Sequence, residues 1–305
     1  MFTHLLVPLD GSQVAASVLP LSASLAQQLG SAVTLLHVIE RDAPSAIHGD
    51  RHLTNPHEAE RLLEELSQRY FSGAAAVERH VHTDIESNVA RSIVDHANER
   101  GSELIVLCTH GRGGLRHRLF GGIAQRVLRL GTVPVLLVPP AVEPAAREFQ
   151  CRRVLVPLDG QAEHEQALPV ATDLTRRCGA ELRVLAVVPT FETLSGAQAR
   201  SRQLLPGTTA AMLDLHEEEV AAYVARLTNG LREAGLETVT EVARGDARSV
   251  IVGVAERTGT DVIVMGTHAK TGFDAFWEGS VAQWVAGRTR TLLLLVPVRA
   301  RTASE

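Results

Sequence analysis

Asp10-Gly11-Ser12 ends an apolar run near the start of the chain and returns as Asp159-Gly160-Gln161. A carboxylate at the exit of a strand can accept hydrogen bonds from a ribose hydroxyl or an adenine amine. The same residue types also make a turn and cap a helix. A second motif is Thr109-His110-Gly111-Arg112-Gly113-Gly114, which leads to Gly121-Gly122 and a helical pattern. Its partner is Gly266-Thr267-His268-Ala269-Lys270-Thr271-Gly272, which leads to Gly279-Ser280 and a helical pattern. Glycine lets a backbone come close to phosphates, and a helix N-terminus supplies unpaired N–H groups and a favourable dipole. Without a ligand such a stretch is a crossover loop. Arg112, Arg116 and Arg118 favour an anion in the first stretch, whereas Asp274 and Glu278 offset Lys270 in the second unless a metal ion intervenes.

These motifs belong to an internal repeat. Leu5–Gly11 (LLVPLDG) matches Val154–Gly160 (VLVPLDG), Glu103–His110 (ELIVLCTH) matches Asp261–His268 (DVIVMGTH), and Val133–Pro139 matches Thr291–Pro297. Three blocks in one order identify a tandem duplication, with a net nine-residue insertion inside the second copy. The copies are expected at residues 1–140 and 150–298, joined by the proline-bearing Pro139–Gln150 connector and followed by a polar tail.

In the first copy, strand signals at His4–Pro8, Ala32–Ile39, Ala76–His82, Leu104–Cys108 and Val135–Val138 alternate with helical stretches near 12–29, 56–71, 86–99 and 121–130. Near-continuous apolar strands alternating with helices specify an α/β fold: a doubly wound, flavodoxin- or adenine-nucleotide-hydrolase-like five-stranded parallel sheet in each copy. Ligands in such sheets sit beyond the strand C-termini, which adds Val38 and Val187, near the ends of the second strands, to the candidate binding residues. The apolar fifth strands would be sticky edges, and pairing one with the other would bury both.

The chain has 305 residues, 45% of them hydrophobic, and a formal charge of -5, so nothing in it favours nucleic acid. Cys108, Cys151 and Cys178 lack metal or redox spacing. MFTHLLVPLDGS reads as a strand rather than a signal peptide, and Leu292–Val298 is too short to span a bilayer; a soluble, cytoplasmic protein is expected.

The first-strand motif, together with Gly, two residues, Gly, nine residues, then Gly and Ser or Thr, resembles the universal stress protein family over essentially both copies. The second copy carries Gly266, Ala269, Gly279 and Ser280 at those places; the first carries Cys108, Gly111, Gly121 and Gly122. The resemblance implies a stress-response protein, often dimeric through its fifth strand. It implies that ATP-binding members hold the base or ribose at the first-strand Asp and the phosphates at the glycines after the fourth strand. ATP with magnesium is the implied cofactor. The implied binding residues are Asp10, Ser12, Val38, Gly111, Arg112, Gly121 and Gly122 in the first copy. In the second they are Asp159, Val187, Gly245, Gly266, Lys270, Gly279 and Ser280. Departures at Cys108, Gly122 and Ala269 predict unequal copies, at most one a good site, with the second slightly ahead because it keeps Gly245, Gly266, Gly279 and Ser280 together.

Histidines offer a competing chemistry. His80 and His82 share one strand face, and His48, His52 and His57 cluster in a loop region, but no further ligand with zinc-like spacing completes either group. They are expected to be solvated loop and edge residues, with no metal site. No P-loop, nucleophile elbow or acid pair for phosphorylation is present in the sequence. The expectation is a non-enzymatic regulator. The alternatives are a pure interaction module and a weak ATPase that phosphorylates itself at Ser12 or Ser280.

Overall fold

In the computed structural model the described residues are 1–44, 46–47, 49–71, 76–109, 122–139, 148–160, 163–194, 206–268 and 280–298. The first copy contributes strands β1 (His4–Pro8), β2 (Ala32–Glu40), a small hairpin β3 (Ala46–Ile47) and β4 (Asp50–Arg51), then β5 (Val77–Glu86), β6 (Leu104–Cys108) and β7 (Val135–Val138). Its helices are α1 (Gln13–Ala16), α2 (Leu19–Leu29), α3 (Pro56–Phe71), α4 (Val89–Glu99) and α5 (Gly122–Leu130). The second copy contributes β8 (Arg153–Leu158), β9 (Glu181–Val188), β10 (Thr238–Arg244), β11 (Val262–His268) and β12 (Leu292–Val298). Its helices are α6 (Ala167–Cys178), α7 (Pro206–Glu233), α8 (Ala247–Thr258) and α9 (Val281–Arg288).

Ten strands form one sheet in the order β10-β9-β8-β11-β12-β7-β6-β1-β2-β5. Each copy therefore orders its own strands third-second-first-fourth-fifth, all parallel, and the winding reverses between the first and fourth. The duplication extends to register. His4 pairs with Ala32 and Arg153 with Glu181; Leu5 pairs with Leu104 and Val154 with Val262; Ile105 pairs with Val135 and Ile263 with Leu293.

The two fifth strands pair antiparallel, Leu137 with Leu293 and Leu136 with Leu294, as their apolar edges predict. Every residue of β7 and β12 is buried. Two apolar cores, one on each sheet face, run through both copies. One holds residues of α2, α6 and α7, including Leu25, Leu174 and Val224; the other holds residues of α4, α5, α8 and α9, including Ile93, Leu128, Ile251 and Val285.

Three local expectations are corrected. The helix expected over 12–29 is split into α1 and α2, because Pro20 lacks the N–H a continuous helix would need and is tolerated only in the first turn of α2. The third strand, expected to end at His82, continues to Glu86 as β5, with an irregular register opposite Val38–Glu40, and Asn88 then caps α4. The β3–β4 hairpin had no sequence signal. It carries Ile47 to the mouth of the first copy, and Leu53, just beyond it, packs on Gly11.

Candidate functional site

At the winding reversal of the first copy, beyond the C-terminal ends of β1, β2 and β6, lies a cavity of about 320 Å³. Its apolar lining includes Leu36 and Val38 from β2, Val89 and Ile93 from α4, and Leu107 from β6; Asp10, Glu40 and Arg126 supply charge at its rim. Ligand pockets typically enclose roughly 300–1,000 Å³ with this mixture of an apolar lining and a few polar groups. Gly122 and Ile123 bring the start of α5 to the cavity, and Arg126 Nε donates to the Gly122 carbonyl at 3.1 Å.

The exit of β1 is fixed by backbone demands. Gly11 has φ +89°, a left-handed value that side chains resist, and a Cβ there would lie 2.8 Å from Leu53 Cγ. Asp10 Oδ1 accepts from the Ser12 backbone N–H at 2.9 Å and from its hydroxyl at 2.7 Å, and Ser12 Oγ accepts from Ala15 N–H at 3.1 Å. Ser12 is thus the buried N-cap of α1 and does not line the cavity, whereas Asp10 and Val38 do. Buried His37 ties this corner together, with Nδ1 2.8 Å from the Leu9 carbonyl and Nε2 3.1 Å from that of Leu53. His37 was not singled out in the sequence; its only signal is an imidazole inside the apolar run of β2. His52, expected to be solvated, is buried and lines the cavity, because the hairpin folds its chain segment inward.

The second copy is arranged differently at the same place. A short 3-10 turn, His164–Gln166, precedes α6, and His164 Nδ1 lies 2.8 Å from Asp159 Oδ2. The hydrogen bond to the Asp159 carboxylate holds the His164 imidazole above its ordinary pKa, against the opposing effect of burial. Tyr223 of α7 donates to Glu165 Oε1 at 2.6 Å; burial and that carboxylate raise its phenol pKa. A Cβ on Gly266 would meet His164 Cα at 3.2 Å and Val298 Cγ1 at 3.0 Å. Glycine at this position admits the His164 backbone, a requirement absent from the phosphate reading of the motif. Cys108, its counterpart in the first copy, lines the open cavity.

Val187 is half-buried at the end of β9. Gly245, with φ +147°, ends β10 beside the α8 cap Asp246, and Ser280 caps α9 by accepting from Gln283 N–H at 3.1 Å. The structure thus brings Asp10, Val38 and Gly122 to one cavity. Gly111, Arg112, Gly121, Lys270 and Gly279 lie outside the described residues.

Comparison with known proteins agrees with this architecture. The family model described as "Universal stress protein family" matches residues 1–139 and again 150–297. The chain is 29% identical over 148 residues to the Bacillus subtilis universal stress protein YxiE, covering 45% of this chain and 99% of that one. It is 30% identical over 139 residues to a universal stress protein of Synechocystis, covering 46% and 87%. The crystal structure of a universal stress protein from Archaeoglobus fulgidus superposes with a TM-score of 0.67 at 20% identity, covering 97% of this chain and 99% of that one. Among the described residues no helix is long and apolar enough to cross a membrane. With the family pattern matched once in each copy and the fold shared along nearly its whole length, this chain belongs to the universal stress protein family.

Proposed function

We propose that this protein is a non-enzymatic stress-response regulator that binds adenine nucleotide, ATP with magnesium, in its first copy. The observation that carries the reading is the 320 Å³ cavity at the winding reversal, with Asp10 at its rim and apolar residues behind it. In this reading Asp10 receives ribose hydroxyls or the adenine amine, and Val38 packs against the base. The start of α5 at Gly122 faces the phosphates, and Gly111, Arg112 and Gly121 are assigned to them from the sequence motif alone. The preference thereby moves from the second copy to the first. In the second, Asp159 is engaged by His164 and Gly266 lies beneath that residue's backbone.

Asp159, Val187, Gly245, Gly266, Lys270, Gly279 and Ser280 then belong to an interaction module that the duplication has retained for its surface rather than for a ligand. The division into units at 1–140 and 150–298, a cytoplasmic setting and pairing of whole chains are part of the same reading. Self-phosphorylation is disfavoured, because the hydroxyls of Ser12 and Ser280 both serve as helix caps. Purified protein, denatured and chromatographed, is expected to release adenine nucleotide, and stripped protein to give binding heat with Mg-ATP. Absence of both sinks the nucleotide reading.

A further inference from the structure

His80 and His82 project from β5 toward α4, where they meet a third imidazole, the buried His96. The ring centroids of His80 and His96 are 4.8 Å apart, and those of His82 and His96 are 4.9 Å apart. His96 Nε2 lies 3.1 Å from His82 Nδ1. Two nitrogens bound at about 2.0–2.1 Å to one tetrahedral zinc are about 3.3 Å apart, so this pair already has the separation of two ligands. One ligand atom from each of the three residues falls within a 4.8 Å span, and His80 is half-buried.

The opposite nitrogens are equally informative. His82 Nε2 lies 3.4 Å from Glu86 Oε1, and His96 Nδ1 lies 3.2 Å from Glu99 Oε2. Metal-bound imidazoles characteristically direct their second N–H at a carboxylate, and Glu86 and Glu99 stand at ion-pair distance from those nitrogens, short of hydrogen-bond geometry. His80 Nε2, His82 Nε2 and His96 Nδ1 are all buried without a hydrogen-bond partner. Burial lowers the pKa of both His80 and His96; Arg100 and the neighbouring rings lower His80 further, and His82 lowers His96. Arg100 is the cation that opposes a metal here, and Glu78 forms an ion pair with it.

The duplication supplies an internal control. His80 and His82 pair with Leu36 and Val38; in the second copy Glu241 and Ala243 pair with the corresponding Leu185 and Val187. Val254 of α8 stands where α4 has His96, and Glu241 is taken up by Arg183 at 3.2 Å and by Arg257. The same fold thus forms without any of the three imidazoles, so packing alone does not require them.

We propose that His80, His82 and His96 bind one divalent transition-metal ion of the zinc type, with water as the fourth ligand. Imidazole ligands select zinc and its neighbours over magnesium or calcium. The ion clamps the edge strand β5 to α4, whose Val89 and Ile93 line the cavity, but binding does not depend on the nucleotide reading.

The test uses the full chain without an affinity tag, stripped by chelator. Calorimetry with zinc is expected to give one equivalent bound, and cobalt to give the intense visible bands of a four-coordinate ion. Both signals are expected to vanish in His80→Ala and His96→Ala and to persist in His57→Ala, which alters an exposed histidine. Glu99→Gln is expected to weaken zinc by about 10–100-fold. Circular dichroism verifies folding of each variant. Should wild-type protein bind neither ion, or should correctly folded His80→Ala or His96→Ala retain the stoichiometric site, the proposal is overturned.

Discussion

His164 Nδ1 stands 2.8 Å from the Asp159 carboxylate, so the acidic residue at the exit of β8 is engaged by the chain's own next turn. Asp10, at the equivalent exit of β1, accepts from Ser12 through Oδ1 and also rims an open cavity. Two copies of one motif have different surroundings, and the consequences can be measured.

The first consequence is a pH dependence. The folded-state pKa of His164 is raised, with the Asp159 hydrogen bond as the largest cause. The stability it contributes is fully present below the unfolded value of about 6.5 and is lost as pH rises through the higher folded value. His164→Ala should therefore lose more stability relative to wild type at pH 5.5 than at pH 8.5, as read by denaturant midpoints. An equal loss at both values contradicts the ion-pair account.

The turn after β1 should be sensitive to one methyl group. Gly11→Ala forces a left-handed backbone on a side chain, costing about 1–2 kcal/mol. It also drives Cβ toward Leu53, with 2.8 Å to Cγ before relaxation. Urea denaturation is expected to show that loss, with weaker nucleotide binding because Gly11 and Leu53 adjoin Asp10 and His52, which line the cavity.

The antiparallel seam should couple the copies. Leu136 is buried opposite Leu294, and Leu136→Ala is expected to cost about 2–5 kcal/mol as a large-to-small core change. Both tryptophans, Trp277 and Trp284, belong to the second copy, so their fluorescence follows the unfolding of that copy. A shifted tryptophan transition in this first-copy variant is the expected outcome. An unshifted one would mean that the seam does not couple them.

Much of the fold was legible because buried parallel strands are written as apolar runs: β6 and β7 fall on the expected residues, and the repeat carries register with it. What was hidden depends on where the folded path of the chain brings side chains together. His164 lies in a polar stretch without a periodic signal, and only the path of the chain places it over Asp159 and Gly266. His96 is 14 residues from His82 and on a helix rather than a strand. Its sole signal was an imidazole within the apolar stripe Ala90, Ile93, Val94 and Ala97 of α4. The glycine pattern favoured the second copy because sequence does not distinguish a glycine admitting a phosphate from one admitting a neighbouring backbone.

The account turns on which copy holds the nucleotide, and calorimetry of Mg-ATP with wild type, Asp10→Asn and Asp159→Asn tests this most directly. One site per chain is predicted. Asp10→Asn should weaken it by about tenfold or more, since a hydrogen bond to a charged group contributes about 1.5–3 kcal/mol, while Asp159→Asn should leave it unchanged. Binding that survives in Asp10→Asn and is lost in Asp159→Asn would contradict the assignment.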